Sequence, residues 1–498
     1  MTATHETPRA VTDVDPSHAT PRPPGLTTDP GFSADDLVRL TGGRALARSA
    51  RPVRGAAVDS RDVRPGMLFV ALPGERTDGH AFLAQAVAAG AAALVVTRPP
   101  ADPTSLGDVT IIRVADALSA LGALAAGWRR RFDPLVVGVT GSIAKTSTKE
   151  AIAAVLGRRF RTLKNEGNLN NEIGLPLTVL RLGPEHDAAV LEMGMYIGGE
   201  IADLARIARP SIGVVTAVQA VHLSRIGSLD AIEAAKAELI ESLPANGTAV
   251  LNADDPIVRR MATRTAARSM TYGFAADADV RAEDVTALGL EGMRFTLHAA
   301  GERRQARTPA LGALSVHNAL AGAAVGLAAG LSLDEIVEGI GDGWSAPHRV
   351  ELVRLGDVTL IDDSYNASPG SMQAALALLA DLPGRHVAVL GEMLELGDAH
   401  EAGHHAVGEA AGRVADLLVV VGSDAADMVE GATDAGLVPT RIHHVVDAGA
   451  ALDVLRPRLR DGDVVLVKAS RGIALDTLVA ALRSDARGEH DPRDPATR

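Results

Sequence analysis

Short, almost wholly apolar runs alternate with helical patterns along most of this chain, and that alternation constrains the fold more than any other feature. In the middle of the sequence the runs are Leu135-Val136-Val137-Gly138-Val139, Ala188–Leu191, Ile212–Val218 and Ala249–Leu251, with helical periodicity between them, as in Leu229–Leu243. Further on they are Val358–Ile361, His386–Leu390, Leu417–Val421, His443–Val446 and Val464–Val467. A strand that is apolar on both faces must be covered on both faces, and helices between such strands supply the crossovers of a parallel sheet. The expected class is therefore α/β with mostly parallel sheets. Ala319–Leu331, rich in Ala and Gly, reads as a buried helix packed closely through small residues.

With 498 residues, the chain is long enough for about three domains. Residues 32–119, with strands Leu68–Leu72 and Ala93–Val96 and a helix Phe82–Ala89 ended by Gly90, form a small N-terminal α/β module. Residues 120–346 form a central domain, and 347–483 an independent doubly wound, Rossmann-like domain. Residues 1–31 are polar and Pro-rich and 484–498 are charged, so both read as disordered tails. Aromatic residues are only 2% of the chain, so the cores must be built from Ala, Val, Leu and Ile. A net charge of −13 argues against nucleic acid and anionic membranes as partners. The lack of cysteine excludes disulfides, thiolate metal sites and a cysteine nucleophile. No apolar run reaches the ~20 residues of a membrane span, and the N-terminal stretch has no apolar core of a signal peptide. A cytoplasmic chain, without membrane insertion, is the expectation.

The strongest local signal for chemistry is Thr140-Gly141-Ser142-Ile143-Ala144-Lys145-Thr146-Ser147-Thr148. It follows a buried strand and opens a helix, the setting in which backbone N–H groups and a helix N-terminus face a phosphate. Lys145 is placed to neutralise phosphate charge and the Thr146 hydroxyl to hold Mg²⁺. The generic pattern G-x-x-x-x-G-K-[ST] is not met: Val139 and Ala144 stand at its two glycine positions. If the loop requires φ > 0 at residue 144, a Cβ there costs roughly 1 kcal/mol or more.

Together with what surrounds it, this loop resembles the Mur ligases, over roughly residues 32 to 482. The N-terminal block carries Val58-Asp59-Ser60-Arg61, Gly66–Leu72 and Gly74-Glu75-Arg76-Thr77-Asp78-Gly79-His80; the central block carries Gly167-Asn168-Leu169-Asn170-Asn171-Glu172-Ile173-Gly174-Leu175-Pro176. The last block carries Ile361-Asp362-Asp363-Ser364-Tyr365-Asn366-Ala367-Ser368-Pro369, Gly391–Gly397 and Lys468-Ala469-Ser470-Arg471-Gly472. The resemblance implies a UDP-sugar-binding N-terminal module, an ATPase centre and a Rossmann-like last domain. It implies that Ser60 and Arg61 contact the uridine diphosphate, and that Asn168 and Asn171 lie near the substrate carboxylate. ATP would be held by Thr140, Gly141, Ser142, Ile143, Ala144, Lys145, Thr146 and Ser147, with Asn318, Arg349, Asp363 and Asn366. Two Mg²⁺ ions would be held by Thr146, Glu192, His222 and Lys236, the last carbamylated by CO₂. Lys145, Glu192, His222 and Lys236 would be the catalytic set, and Lys468 and Arg471 would bind the incoming dipeptide.

The branch of the family most resembled joins D-alanyl-D-alanine to UDP-N-acetylmuramoyl-tripeptide in peptidoglycan precursor synthesis, with ATP driving an acyl-phosphate intermediate; a monomer is expected. The chain departs from the family pattern at Ala144, at Ser224, where an acid usually follows the His, and at Leu314-Ser315, where a His-Asn pair usually precedes the Asn matched by Asn318. Two other readings therefore stay open at this point: a divergent paralogue using a different amine or peptide, and a non-catalytic nucleotide-binding homologue.

Overall fold

A computed structural model describes residues 31–74, 77–219 and 228–487. Three sheets follow one another along the chain. The first contains β1 (Arg44–Ala47), β2 (Ala56–Ala57), β3 (Leu68–Val70), β4 (Ala93–Val96) and β5 (Thr110–Arg113), in the spatial order β1-β5-β4-β3-β2. Only β1 runs antiparallel to its neighbour.

The central sheet contains β6 (Leu135–Thr140), β7 (Thr162–Lys164), β8 (Ala188–Glu192), β9 (Ile212–Val215), β10 (Thr248–Asn252), β11 (Arg268–Gly273), β12 (Val280–Ala287), β13 (Met293–Ala299) and β14 (Glu302–Thr308). Its order is β14-β13-β12-β11-β10-β9-β6-β8-β7. The strands from β6 to β12 pair in parallel, and β13 and β14 extend the sheet as an antiparallel ribbon. β6 lies between β8 and β9, so the chain leaves it on one side and returns on the other. Such a reversal opens a crevice at the carboxyl ends of the strands.

The third sheet contains β15 (Glu351–Leu355), β16 (Val358–Asp362), β17 (Arg385–Gly391), β18 (Leu417–Val421), β19 (Ile442–Val445) and β20 (Asp463–Lys468), ordered β15-β16-β20-β17-β18-β19. It is parallel apart from the β15–β16 hairpin, and buried clusters lie against it around Leu390 and Leu418 and around Val389 and Val419, alternate residues of the same strands.

The α/β class and the three-part architecture agree with the sequence. Two boundaries do not. The division expected at residues 119 and 120 falls inside helix Ala117–Arg129, which starts at an Asp116 N-cap whose side chain accepts from the Ser119 amide. The last helix, Asp476–Arg487, runs past the expected start of a tail at Ser484, and Arg456 binds Asp485 within it.

Helix Ala117–Arg129 joins the first two parts. Leu121, Leu124 and Trp128 belong to one apolar cluster that also includes Phe32, Val53 and Val70 from the N-terminal module and Leu175, Val179 and Ile207 from the central domain. Trp128 donates its indole N–H to the Leu182 carbonyl (2.9 Å) and packs against Phe32 with ring centroids 4.8 Å apart. The Arg131 guanidinium lies over both rings and binds Asp36 and the Gly31 carbonyl.

The small-residue helix spans Ala313–Ala328, beginning earlier than the apolar pattern suggested. A Cβ at Gly326 would come within 2.9 Å of Val155, so this helix needs small residues to approach helix Lys145–Leu156. Among the described residues, no helix is long and apolar enough to cross a membrane.

Candidate active site

The crevice beside β6 is built by its own sequence. The strand ends at Thr140, whose hydroxyl donates to the Met193 carbonyl (2.9 Å). Gly141 follows with φ +152°, and a Cβ there would sit 1.9 Å from the Thr216 hydroxyl oxygen, so only glycine fits. Thr216 in turn donates to the Ile143 carbonyl (2.6 Å), and Ser142 exchanges hydrogen bonds with Gln219. Ala144 adopts the left-handed conformation, φ +62°, as the residue preceding helix Lys145–Leu156. The loop thus keeps the turn that a glycine would make easily, with an alanine under strain. The Lys145 ammonium folds onto the loop, donating to the Gly141 carbonyl at 2.8 Å and more weakly to that of Ser142.

β8 runs beside β6 with Glu192 opposite Val139, so its carboxylate ends next to this loop. Glu192 is 2% exposed. Its Oε1 accepts from the Asn170 side chain (2.7 Å), whereas its Oε2 is buried with no hydrogen-bond partner. An unpaired carboxylate oxygen in a protein interior is costly unless a cation completes it. Lys236, on helix Leu229–Glu241, is 3% exposed and makes no hydrogen bond or ion pair among the described residues. Burial pushes its amine well below an ordinary lysine, and the charge of Lys145 pushes it the same way. The Lys145 amine is also lowered by burial; Glu192 opposes that shift and Arg349 adds to it. These couplings bring Lys145, Glu192, Lys236 and Arg349 into one electrostatic neighbourhood.

In front of the loop lies a cleft of about 920 Å³, within the usual range of ligand pockets. The central domain lines it with Ser142–Ser147, Asn168, Tyr196 and Asn318, and the last domain with Asp363, Tyr365, Asn366, Lys468 and Arg471. Arg349 reaches it from the linker between them.

Residues 52–129 match the Mur ligase family catalytic domain, 139–326 the Mur ligase middle domain, and 348–471 the Mur ligase glutamate ligase domain. The UDP-N-acetylmuramoyl-tripeptide--D-alanyl-D-alanine ligase of Mycobacterium tuberculosis (strain ATCC 25618 / H37Rv) is 40% identical over 470 residues, covering 86% of this chain and 91% of that protein. The chain belongs to the Mur ligase family. The enzyme of the same name from Escherichia coli (strain K12) is 39% identical over 434 residues, covering 86% of this chain and 93% of its own. Among solved structures, MurF from Acinetobacter baumannii superposes with a TM-score of 0.81 at 32% identity, covering 92% of this chain and 99% of that one. MurF ligase from Thermotoga maritima in complex with ADP has a TM-score of 0.76 at 28% identity, covering 88% and 99%.

Several residues singled out in this Mur ligase have duties the sequence did not reveal. Asn171 caps helix Gly174–Val179, its side chain accepting from the Ile173 and Gly174 amides. It does not line the cleft; its neighbour Asn168 does. Asn170 and Asn165 do the positioning instead. Asn165 accepts from the Glu192 amide and donates to the Glu192 and Leu169 carbonyls, fastening the Asn-rich loop to the end of β8. Buried Lys149 donates to the Asn165 carbonyl and pairs with Glu150 at 3.1 Å. In the sequence Lys149 follows the phosphate-loop string and looks like an ordinary helix lysine.

Lys468, expected to meet a dipeptide carboxylate, is 3% exposed and bound to Asp363 (2.6 Å) and the Asn366 carbonyl (2.9 Å). Through these contacts Lys468 holds Asp363 and Asn366 in place at the cleft. Asn318 accepts from the Thr148 hydroxyl (2.9 Å), which orients its side chain at the cleft. Ser60 is buried and Arg61 pairs with Asp59, both on the turn after β2 and outside this cleft. His222 lies outside the described residues.

Proposed function

We propose that this chain is an ATP-dependent ligase that joins D-alanyl-D-alanine to the peptide carboxylate of UDP-N-acetylmuramoyl-tripeptide, in the cytoplasm, as a step of peptidoglycan precursor synthesis. The reading is carried by one observation: Lys145 lines an interdomain cleft together with Arg349 and Arg471, and it is electrostatically coupled to Glu192, which has an orphaned oxygen, and to the buried amine of Lys236. The names of the relatives support the choice of substrates, and the ADP complex of the Thermotoga maritima structure supports the nucleotide.

The substrate carboxylate attacks the γ-phosphorus of ATP, the bond to ADP breaks, and an acyl phosphate forms. The dipeptide amine then attacks the acyl carbon, phosphate leaves, and the amine proton passes to solvent. Little covalent work falls to the protein; it positions groups, neutralises charge and excludes water. Lys145 and Arg349 set positive charge along the phosphates. Asn170 aims the Glu192 carboxylate, while Asp363 and Asn366, held by Lys468, face the nucleoside side. Arg471 takes the dipeptide carboxylate. Closing the cleft shields the acyl phosphate from hydrolysis.

The donor set fits magnesium: a threonine hydroxyl at Thr146, a buried carboxylate with an open oxygen at Glu192, the His222 of the sequence, and Lys236 if carbamylated. When bound, the metal supplies charge neutralisation at the phosphates. Carbamylation needs a neutral amine, and burial of Lys236 shifts its equilibrium toward that form. CO₂ adds to that nitrogen, an N–C bond forms, and the released proton leaves an anionic ligand.

The test is ligation itself: UDP-N-acetylmuramoyl-tripeptide, ATP and D-alanyl-D-alanine, scored by ADP release and product mass beside a panel of other amines. Product with D-alanyl-D-alanine is expected. Product only with a different amine would identify a divergent paralogue, and nucleotide binding without turnover on any amine a non-catalytic homologue. For the metal, Mg²⁺ should raise the melting temperature of the parent and not of Glu192→Gln. For the carbamate, Lys236→Ala should regain part of its activity with short-chain carboxylic acids.

A further inference from the structure

Two arginines of the cleft share a feature that the reaction scheme does not use. The guanidinium carbon of Arg349 lies 4.1 Å from the centroid of the Tyr365 ring, and that of Arg471 lies 5.3 Å from the same centroid. All three side chains line the cleft. Among the described residues neither guanidinium makes a hydrogen bond or an ion pair. Elsewhere in this protein the arginines near the surface pair with carboxylates, as Arg158, Arg159 and Arg456 do.

The chemistry of the two kinds of contact differs. A carboxylate partner fixes an arginine by consuming its N–H donors. An aromatic ring fixes it by touching its face, leaving all five donors in the plane free for an anion. The ring also offers negative potential to two cations that would otherwise repel each other.

We infer that Tyr365 is a positioning residue, a shared aromatic platform that presents Arg349 to the phosphate chain of the nucleotide and Arg471 to the carboxylate of the incoming dipeptide. The inference rests on the proposed ligase reading and deepens it. The platform is anchored at its base. The Tyr365 amide donates to the His348 carbonyl (3.1 Å), next to Arg349 in the interdomain linker. His348 binds Asp362 through its ring (2.7 Å), and Asp362 also accepts from the Ser364 amide and hydroxyl. His348 and Val350 both have positive φ, +59° and +51°, so the backbone on either side of Arg349 is held in a conformation that such residues rarely adopt. The backbone thus ties the ring to the linker that carries Arg349, with Arg471 beside the same ring.

The experiment compares the parent with Tyr365→Phe and Tyr365→Leu. Steady-state ligation gives the KM of ATP and of D-alanyl-D-alanine, and calorimetry with a non-hydrolysable ATP analogue and with the free dipeptide gives affinities that need no turnover. Tyr365→Leu is expected to raise both KM values and weaken both affinities by roughly three- to fivefold each, with a smaller change in kcat, because only the stacking is lost. Tyr365→Phe keeps the ring and is expected to match the parent within about twofold. Tyr365→Gln serves as a second ring-less variant, with the same rise required of it should the leucine variant prove unstable. A rise in only one of the two constants, or equal behaviour of the phenylalanine and leucine variants, would overturn the shared platform. If the parent binds nucleotide and dipeptide yet forms no amide, the ligase reading fails and the titrations still decide the role of Tyr365.

Discussion

On its N-terminal side the central domain shares one apolar core with the five-stranded module, whereas on its C-terminal side a cleft of about 920 Å³ separates it from the six-stranded domain. The first junction is dry and made of close contacts: Phe32, Leu121, Leu124 and Trp128 sit in one cluster, with Arg131 covering the aromatic edge. The second junction is polar and strung with charged groups, and among the described residues of the central domain only Leu290 and Leu311 join the apolar cluster of the last domain. Interfaces that are small and polar permit domains to move, and large hydrophobic ones do not. A reaction that must admit three substrates and then exclude water belongs at the second kind of junction. The first kind gives it a fixed floor.

The largest effect expected is at the open junction. Lys145→Ala should lower ligation by roughly 10²–10³-fold or more, since charge stabilisation at the phosphates is lost. Binding of the UDP substrate, measured by calorimetry, should stay within about twofold because the uridine end is expected at the other side of the molecule. Equal loss of both would show that the two junctions do not work separately. Next comes the closed junction. Trp128→Ala removes a buried indole and orphans the Leu182 carbonyl, and should cost about 3–5 kcal/mol in denaturant unfolding. A cost under about 1 kcal/mol would mean that the shared core does not hold the module in place.

Lys236 allows a finer test through pH. Its folded pKa is held well below the ordinary lysine value, so the unfolded chain binds more protons across that interval and stability rises with pH there. Lys236→Met removes the cost of burying the amine. In CO₂-free buffer the variant should melt higher than the parent at pH 7, and the gain should shrink as pH climbs toward the usual lysine range. A pH-independent difference would show that Lys236 is not buried as a titrating amine. The smallest change is Ala144→Gly. It relieves a left-handed alanine and should stabilise the chain by about 1 kcal/mol, read as a shift of the denaturant midpoint.

Much of this was legible in the residues. A continuously apolar strand leading into Thr140–Thr148 announces a strand, a turn and a helix, and helix Lys145–Leu156 opens within that string. The apolar run Ala188–Leu191 stops at Glu192, and the strand ends there. The antiparallel ribbon β13–β14 was not foreseen: Glu302–Thr308 is charged along most of its length, and an edge strand facing water carries no apolar run to read. Nor was the division of labour among the asparagines. Asn165, Asn168, Asn170 and Asn171 have identical chemistry, and only the backbone geometry decides that one caps a helix while another holds Glu192. Lys468 shows the same limit from the other side, because sequence shows a cation and not the Asp363, 105 positions away, that occupies it.

Helix Lys145–Leu156 begins without any side-chain cap. Most helices complete their first turn with a serine, threonine or aspartate, and this one leaves its leading amides toward the cleft. On the proposed reading a bound phosphate would do the work of the missing residue, and the nucleotide would belong to the architecture as well as to the chemistry. Melting curves of this protein should accordingly depend on nucleotide concentration, by about 2.7 kcal/mol at a hundredfold excess over Kd.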